Sequence, residues 1–355
     1  MLRAKFIPYR LNFNFTAITS RQSMTFKDTY LLFVTDTDKS GKTGVGECAL
    51  FKGLSAEDNS GYEQRLKWLC DNINRVSLDD IEDSSIRFGY ETAMWSLHGT
   101  SPWHLLDNPW SDNNESININ GLVWMGDFDL MMKRIEDVIS KGFITVKIKI
   151  GGIDFENELD LIKHIRENYS DKNLTIRLDA NGSFTPKDAL QKLERLARYD
   201  IHSLEQPIKA GQWSKMCEIT KYSAIPIALD EELIGNLNYD KRNYLLDGTQ
   251  PQFLVLKPSL HGGFATCDGW IEDATQRELG WWSTSALESN IGLNAIAQWV
   301  SRKNISLPQG LGTGSLYSNN FESPIKVKNG SLVYEKKAQW DEKSIYKLSD
   351  HDSQL

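Results

Sequence analysis

The alternation of apolar and polar positions changes rhythm near residue 100. Before that point, residues 4–9, 11–15 and 30–35 alternate in short runs broken by polar segments, the pattern of an antiparallel meander. Residues 16–27 and 48–54 read as two long loops around it. Helical spacing follows over 56–75 and again over 84–99, where Ile86, Tyr90, Ala93 and Leu97 fall on one face. Residues 1–100 therefore predict an α+β domain.

After a Pro- and Trp-containing connection at 100–112, short strands and helices alternate strictly. Strand-like runs lie near 117–123, 144–150, 174–179, 201–205, 225–229, 252–257, 280–285 and, weakly, 305–308. Helical patterns at 128–140, 155–168 and 185–199 separate them. Repeated βα units imply a parallel sheet, and eight β positions imply a closed (β/α)8 barrel over 101–314, with its active site at the C-terminal strand ends. A doubly wound open sheet is the alternative. Residues 320–340 predict a hairpin that returns to the first domain within a C-terminal segment, 315–355, whose tail from 341 is expected to be partly disordered.

The second barrel strand carries the first sign of chemistry. Residues Val146, Ile148 and Ile150 face one way and Lys147 and Lys149 the other, so two ammonium groups share one side. Burying two like charges is costly unless acidic groups compensate. The following strands end in Asp179, Glu205 and Asp230, at intervals of one βα unit, and the next ends in Lys257. Three carboxylates at the open end of a barrel make a hard-oxygen site that suits Mg²⁺ rather than Zn²⁺. Amines before and after them place a lysine near each face of a chelated substrate. Such a set suits proton abstraction α to a carboxylate: the metal takes up enediolate charge and a lysine of depressed pKa acts as base.

Composition narrows the rest. With 355 residues, 40% hydrophobic and 25% charged, the chain is long enough for a barrel and an accessory domain. A net charge of −8 and a pI near 5.4 argue against nucleic-acid or anionic-membrane surfaces. Cys48, Cys70, Cys217 and Cys267 form no C-x-x-C pair and predict reduced thiols and a cytoplasmic protein. No run approaches the length of a membrane span, and no leader pattern opens the chain.

The lysine pair, Lys257 and the ligands Asp179, Glu205 and Asp230 resemble the muconate-lactonizing subgroup of the enolase superfamily. That resemblance implies a modified TIM-like barrel of β7α type with an N-terminal α+β capping domain, two loops of which cover the site. It implies Mg²⁺, with Mn²⁺ as a substitute, and a small-molecule carboxylate substrate. The segments Arg177-Leu-Asp-Ala-Asn181, Ser203-Leu-Glu-Gln-Pro207, Ser285-Ala-Leu-Glu-Ser-Asn-Ile-Gly292 and Gly310-Leu-Gly-Thr313 are most similar to the dehydrating branch of the subgroup. Its menaquinone-pathway reaction turns 2-succinyl-6-hydroxy-2,4-cyclohexadiene-1-carboxylate into o-succinylbenzoate. The resemblance makes Lys149 the base and later the acid. It puts Lys257 on the opposite face as an electrostatic partner and gives Lys147 an orienting role. Asn181, Ser285 and Ser289 are implied as pocket contacts.

Competing readings come from other classes. N-succinylamino acid racemases and dipeptide epimerases use the same two lysines. The epimerases usually carry an Asp-x-Asp pair late in the barrel, where this chain reads Gly310-Leu-Gly-Thr-Gly-Ser315. A non-catalytic scaffold would not need all five charged positions. Arg177 fits either a site role or support of a metal ligand, and Glu47 and Glu232 read as structural. His98, His104, His164, His202, His261 and His351 show no metal-ligand spacing and are expected at the surface or at caps. The Trp281-Trp282 pair reads as barrel packing. The glycine-rich 310–314 lacks the strand and helix that a dinucleotide site requires. The sequence leaves oligomeric partners unknown.

Overall fold

In this computed structural model, residues 1–18, 23–38 and 41–350 are described. The chain starts with an antiparallel sheet of β1 (Leu2–Ile18), β2 (Ser23–Asp36) and β3 (Thr43–Cys48), in that spatial order. The apolar runs at 4–9 and 11–15 belong to one long strand. The expected loop at 16–27 is also different: Ala17 pairs with Met24 and Ile18 with Ser23, so strand pairing continues beyond a bulge into that segment, and its residues 19–22 lie outside the described ones. Helices α1 (Tyr62–Asn72) and α2 (Ser84–His98) cover one face of this sheet. Their apolar sides bury Leu66, Leu69, Ile86, Ala93 and Leu97 against Leu32, Val34 and Cys48.

A short helix, α3 (Pro109–Asp112), starts at Asn108, whose side chain accepts from Ser111 N, with Pro109 at the first helical position. Then come β4 (Ile117–Asn118), β5 (Gly121–Val123), α4 (Phe128–Ser140), β6 (Thr145–Lys149), α5 (Phe155–Asn168) and β7 (Thr175–Asp179). They are followed by α6 (Ala189–Leu196), β8 (Ile201–Glu205), α7 (Trp213–Tyr222), β9 (Ile227–Leu229) and α8 (Tyr239–Thr249). The barrel ends with β10 (Phe253–Leu256), α9 (Gly263–Gln276), β11 (Gly280–Ser283) and α10 (Asn290–Ser301). Seven strands, β5 to β11, form one curled parallel sheet in sequence order.

The eighth position is shifted from the expected 305–308. Instead Gln309 bridges Ile119 and Gly310 bridges Thr284, both in parallel sense. The bonds Asn120 N to Gln309 O (2.9 Å) and Gly310 N to Ser283 O (2.8 Å) join the two edges of the sheet. Closure therefore rests on a two-residue contact rather than a full strand, because Pro308 has no N–H to give a ladder.

The expected hairpin is present as β12 (Ile325–Lys328) and β13 (Ser331–Tyr334), but it pairs with β4 rather than with the first sheet. Return to that sheet is made on either side of it. Upstream, Asn14 N donates to Leu316 O at 2.9 Å and Ser318 N to Asn12 O at 2.9 Å. Downstream, residues 342–350 of the tail are helical, α11 (Glu342–Asp350), with the Tyr346 hydroxyl donating to Thr43 O at 3.2 Å. Residues 351–355, including His351, lie outside the described ones. Among the described residues no helix is long and apolar enough to cross a membrane.

Candidate active site

Strand register brings the charged residues into a row. Lys149 stands opposite Asp179, and Lys147 opposite Arg177. Between β7 and β8 the pairing slips by one residue, so that Arg177 meets Ser203 and Asp179 meets Glu205. Without that slip Asp179 would lie beside Leu204, whose side chain points away from the interior.

The row is buried and densely paired. Lys147 Nζ donates to both Glu205 oxygens at 2.7 Å and lies 2.8 Å from Asp179 Oδ2. Lys149 Nζ donates to Asp179 Oδ2 at 2.5 Å and to Asn181 Oδ1 at 2.9 Å. Lys257 Nζ donates to Asp230 Oδ2. The three carboxylates are 0–2% exposed, so their electrostatics act in a low-dielectric setting.

Charge balance decides the proton positions. Burial opposes the Lys147 charge, but Asp179 and Glu205 outweigh it and raise its pKa. Burial also lowers Lys149, to about 8, with Lys147 and Lys257 adding to the fall and Asp179 opposing it. Glu205 is pushed up to about 8 by burial and by Asp179 and Asp230 beside it. Burial works against Asp179 and Asp230 as well, yet the lysines hold Asp179 well below the usual carboxylate range, and Lys257 above all holds Asp230 at about 2.

The same set fits a divalent cation. Asp230 Oδ1 is buried with no hydrogen-bond partner among the described residues, and Glu205 cannot hold its charge comfortably without more positive charge nearby. Three convergent carboxylates and no cysteine match Mg²⁺ chemistry.

A cavity of about 1140 Å³ opens over this row. Lys147, Lys149 and Lys257 form its floor, and Trp124, Leu260, Ser285, Ala286 and Leu287 form its barrel wall. Phe15, Met24, Phe51 and Leu54 close it from the first sheet, so the predicted covering segments supply apolar side chains. The space also extends past Gly121 and Leu122 to the 325–332 hairpin, so only part of it faces the lysines.

The other predicted residues separate here. Ser285 lines the cavity, its hydroxyl donating to Glu288. Asn181, at φ 45°, joins Lys149 to Glu231, with Nδ2 donating at 3.0 Å. Ser289 is not a pocket contact. It is the N-cap of α10, fully buried, and its hydroxyl donates to Glu47 Oε2 at 2.6 Å. Arg177 supports rather than lines the site: it donates to Pro308 O at 2.7 Å and stacks over Trp282 at 4.0 Å. Glu232 is structural, accepting from Gly211 N at 2.7 Å and Gln206 Nε2 at 3.1 Å.

Glu47 is structural as expected, and two further roles, those of Glu288 and His261, were missed by sequence reasoning. Glu47 crosses from the first sheet to accept from Ser289 N at 3.0 Å and Gly292 N at 3.1 Å, fastening it to the helix beside the cavity. Glu288 accepts from both Ser259 and Ser285, tying the loops after β10 and β11. His261 is wholly buried rather than superficial, and burial pushes its pKa down to about 3. His202 is also partly buried, packed 5.1 Å from Phe253. Only the Leu-Glu-Ser run around Glu288 offered a signal; the others depend on long-range packing.

Comparison with known proteins places this geometry. Residues 130–338 match the family described as enolase C-terminal domain-like. An o-succinylbenzoate synthase from Desulfotalea psychrophila is 40% identical over 91% of this chain and 96% of its own. The crystal structure of MenC from Desulfotalea psychrophila superposes with a TM-score of 0.83 at 35% identity, covering 94% of this chain and 99% of that one. An L-Ala-D/L-Glu epimerase from Bacillus subtilis, in complex with substrate, shares the fold at a TM-score of 0.80 but only 18% identity, over 94% of this chain and 95% of that one. With more than half of its length matching the family and a 40%-identical relative aligned almost end to end, the chain belongs to the enolase superfamily.

Proposed function

We propose that this protein catalyses the o-succinylbenzoate synthase reaction, the loss of water from 2-succinyl-6-hydroxy-2,4-cyclohexadiene-1-carboxylate. The observation that carries it is the placement of two amines in one cavity: Lys149 on β6 and Lys257 after β10, with three carboxylate-bearing strands between them. The 40%-identical relative of that name supports the choice of substrate.

Asp179, Glu205 and Asp230 would hold Mg²⁺, which supplies positive charge to the substrate's ring carboxylate. Lys149 Nζ, half neutral at about pH 8, takes the proton α to that carboxylate. The electron pair moves into the carboxylate, and Lys257 and Lys147 offset the charge that develops there. The same Lys149 ammonium then gives its proton to the departing 6-hydroxyl. Water and o-succinylbenzoate leave, with the ring aromatic. Asn181 and Asp179 hold the Lys149 amine in place between the two transfers. The apolar lid of Phe15, Met24, Phe51 and Leu54 excludes water from the intermediate. We place this chemistry in the cytoplasm and menaquinone biosynthesis, with the four free thiols fitting a reducing compartment.

Incubation of the purified protein with Mg²⁺ and the cyclohexadiene substrate tests the reading, followed by the appearance of o-succinylbenzoate. A second reading, racemisation of N-succinylamino acids or epimerisation of dipeptides, uses the same amines, and epimerases are among the relatives, such as one from Maribacter at 24% identity. Deuterium exchange into those substrates without any o-succinylbenzoate would replace the first reading by the second.

A further inference from the structure

His261 lies in the turn just before α9, four residues after Lys257, and its ring is completely buried. The imidazole Nδ1 accepts the Lys257 backbone N–H at 3.0 Å. A nitrogen that accepts a hydrogen bond carries no proton, so the ring hydrogen of the neutral imidazole sits on Nε2. That Nε2 has no hydrogen-bond partner among the described residues, and neither has Asp230 Oδ1, which faces it at 3.9 Å. A buried donor and a buried acceptor, both unsatisfied, are thus aimed at each other just beyond bonding distance. Each alone is costly to leave unpaired in a buried place.

We propose that His261 is a positioning residue for the metal ligand Asp230. With Mg²⁺ held by Asp179, Glu205 and Asp230, Asp230 no longer depends on Lys257 for its counter-charge, and the His261 Nε2–H closes on its carboxylate. One ring then orients two functional groups: the carboxylate through Nε2 and the Lys257 backbone through Nδ1. Outer partners of this kind set the direction of a ligand's lone pairs and so its affinity for the ion. A leucine of similar volume would fill the space but would leave the Lys257 N–H and Asp230 Oδ1 without partners.

This inference rests on the metal site proposed above, so Mg²⁺ itself is the probe. Titration calorimetry of the metal-stripped protein is expected to show Mg²⁺ binding about 10–100-fold weaker in His261→Leu than in the unmutated protein. His261→Gln, which keeps an N–H at comparable reach, should recover most of that affinity. In turnover assays, the loss in His261→Leu should be largely restored by raised Mg²⁺, because the ion's affinity is reduced rather than the chemistry. If His261→Leu does not fold, His261→Asn takes its place: its amide oxygen can accept the Lys257 N–H while its shorter reach leaves Asp230 uncontacted. Unchanged Mg²⁺ affinity in folded His261→Leu or His261→Asn overturns the inference and leaves the metal site standing. Failure of the unmutated protein to bind Mg²⁺ overturns both.

Discussion

Replacing Lys149 by arginine separates its charge from its basicity. A guanidinium keeps the positive charge facing Asp179 and Asn181 but has no accessible neutral form. The structure indicates what is lost. Lowering an amine from 10.5 to about 8 raises its neutral fraction at pH 7 from about 0.03% to about 9%, a gain on the order of 300-fold. A positioned general base contributes about 10²–10⁴-fold, and this poise is part of that contribution. Lys149→Arg should therefore lower kcat by about 10³-fold or more, while circular dichroism and Mg²⁺ titration stay close to the unmutated protein. Lys149→Ala should be equally inactive, which guards against a steric effect of the longer side chain. The assay is the formation of o-succinylbenzoate at saturating Mg²⁺ and substrate, supplemented by solvent deuterium exchange. A kcat for Lys149→Arg within about 10-fold of the unmutated enzyme would show that the amine acts only as a charge, and the base would have to be sought elsewhere.

The pH dependence follows from the same amine. Since the neutral form is the base, kcat should fall about tenfold per unit on the acid side of about pH 8 and level above it, and a flat profile from pH 6 to 9 would contradict the assignment. Lys257→Met removes the opposing charge while leaving the Lys149 side chain in place, so turnover should drop by about 10²-fold or more while the fold is kept; unchanged turnover would show that the two-amine arrangement is not needed. A chelator should suppress turnover reversibly, and full activity in its excess would rule out the carboxylate site as a metal site. Gly46→Ala tests the packing of β3 on α2, because a Cβ there would lie 2.0 Å from Gly89 O and 2.8 Å from Ala93 N, both main-chain atoms that no rotamer change can move. It should cost about 3 kcal/mol by chemical denaturation, and an unchanged midpoint would mean that the helix shifts freely.

Local pattern determined a large part of this protein. Period-two alternation put Lys147 and Lys149 on one side of β6 and placed Asp179, Glu205 and Asp230 at strand ends, because side-chain direction in a strand depends only on parity. The repeating βα texture likewise implied the parallel sheet. Tertiary structure decided how these pieces meet. The one-residue slip between β7 and β8 sets Glu205 beside Asp179, and pairing register is a property of two strands together. Closure at Gln309 and Gly310 was hidden because two bridging residues leave no periodic signal. Ser289 was drawn away from the pocket by Glu47, 242 residues distant, and His261 acquired its position only through burial between Lys257 and Asp230. Sequence spacing names the chemistry that a chain can perform; long-range packing chooses which side chain reaches it and which one merely holds another in place.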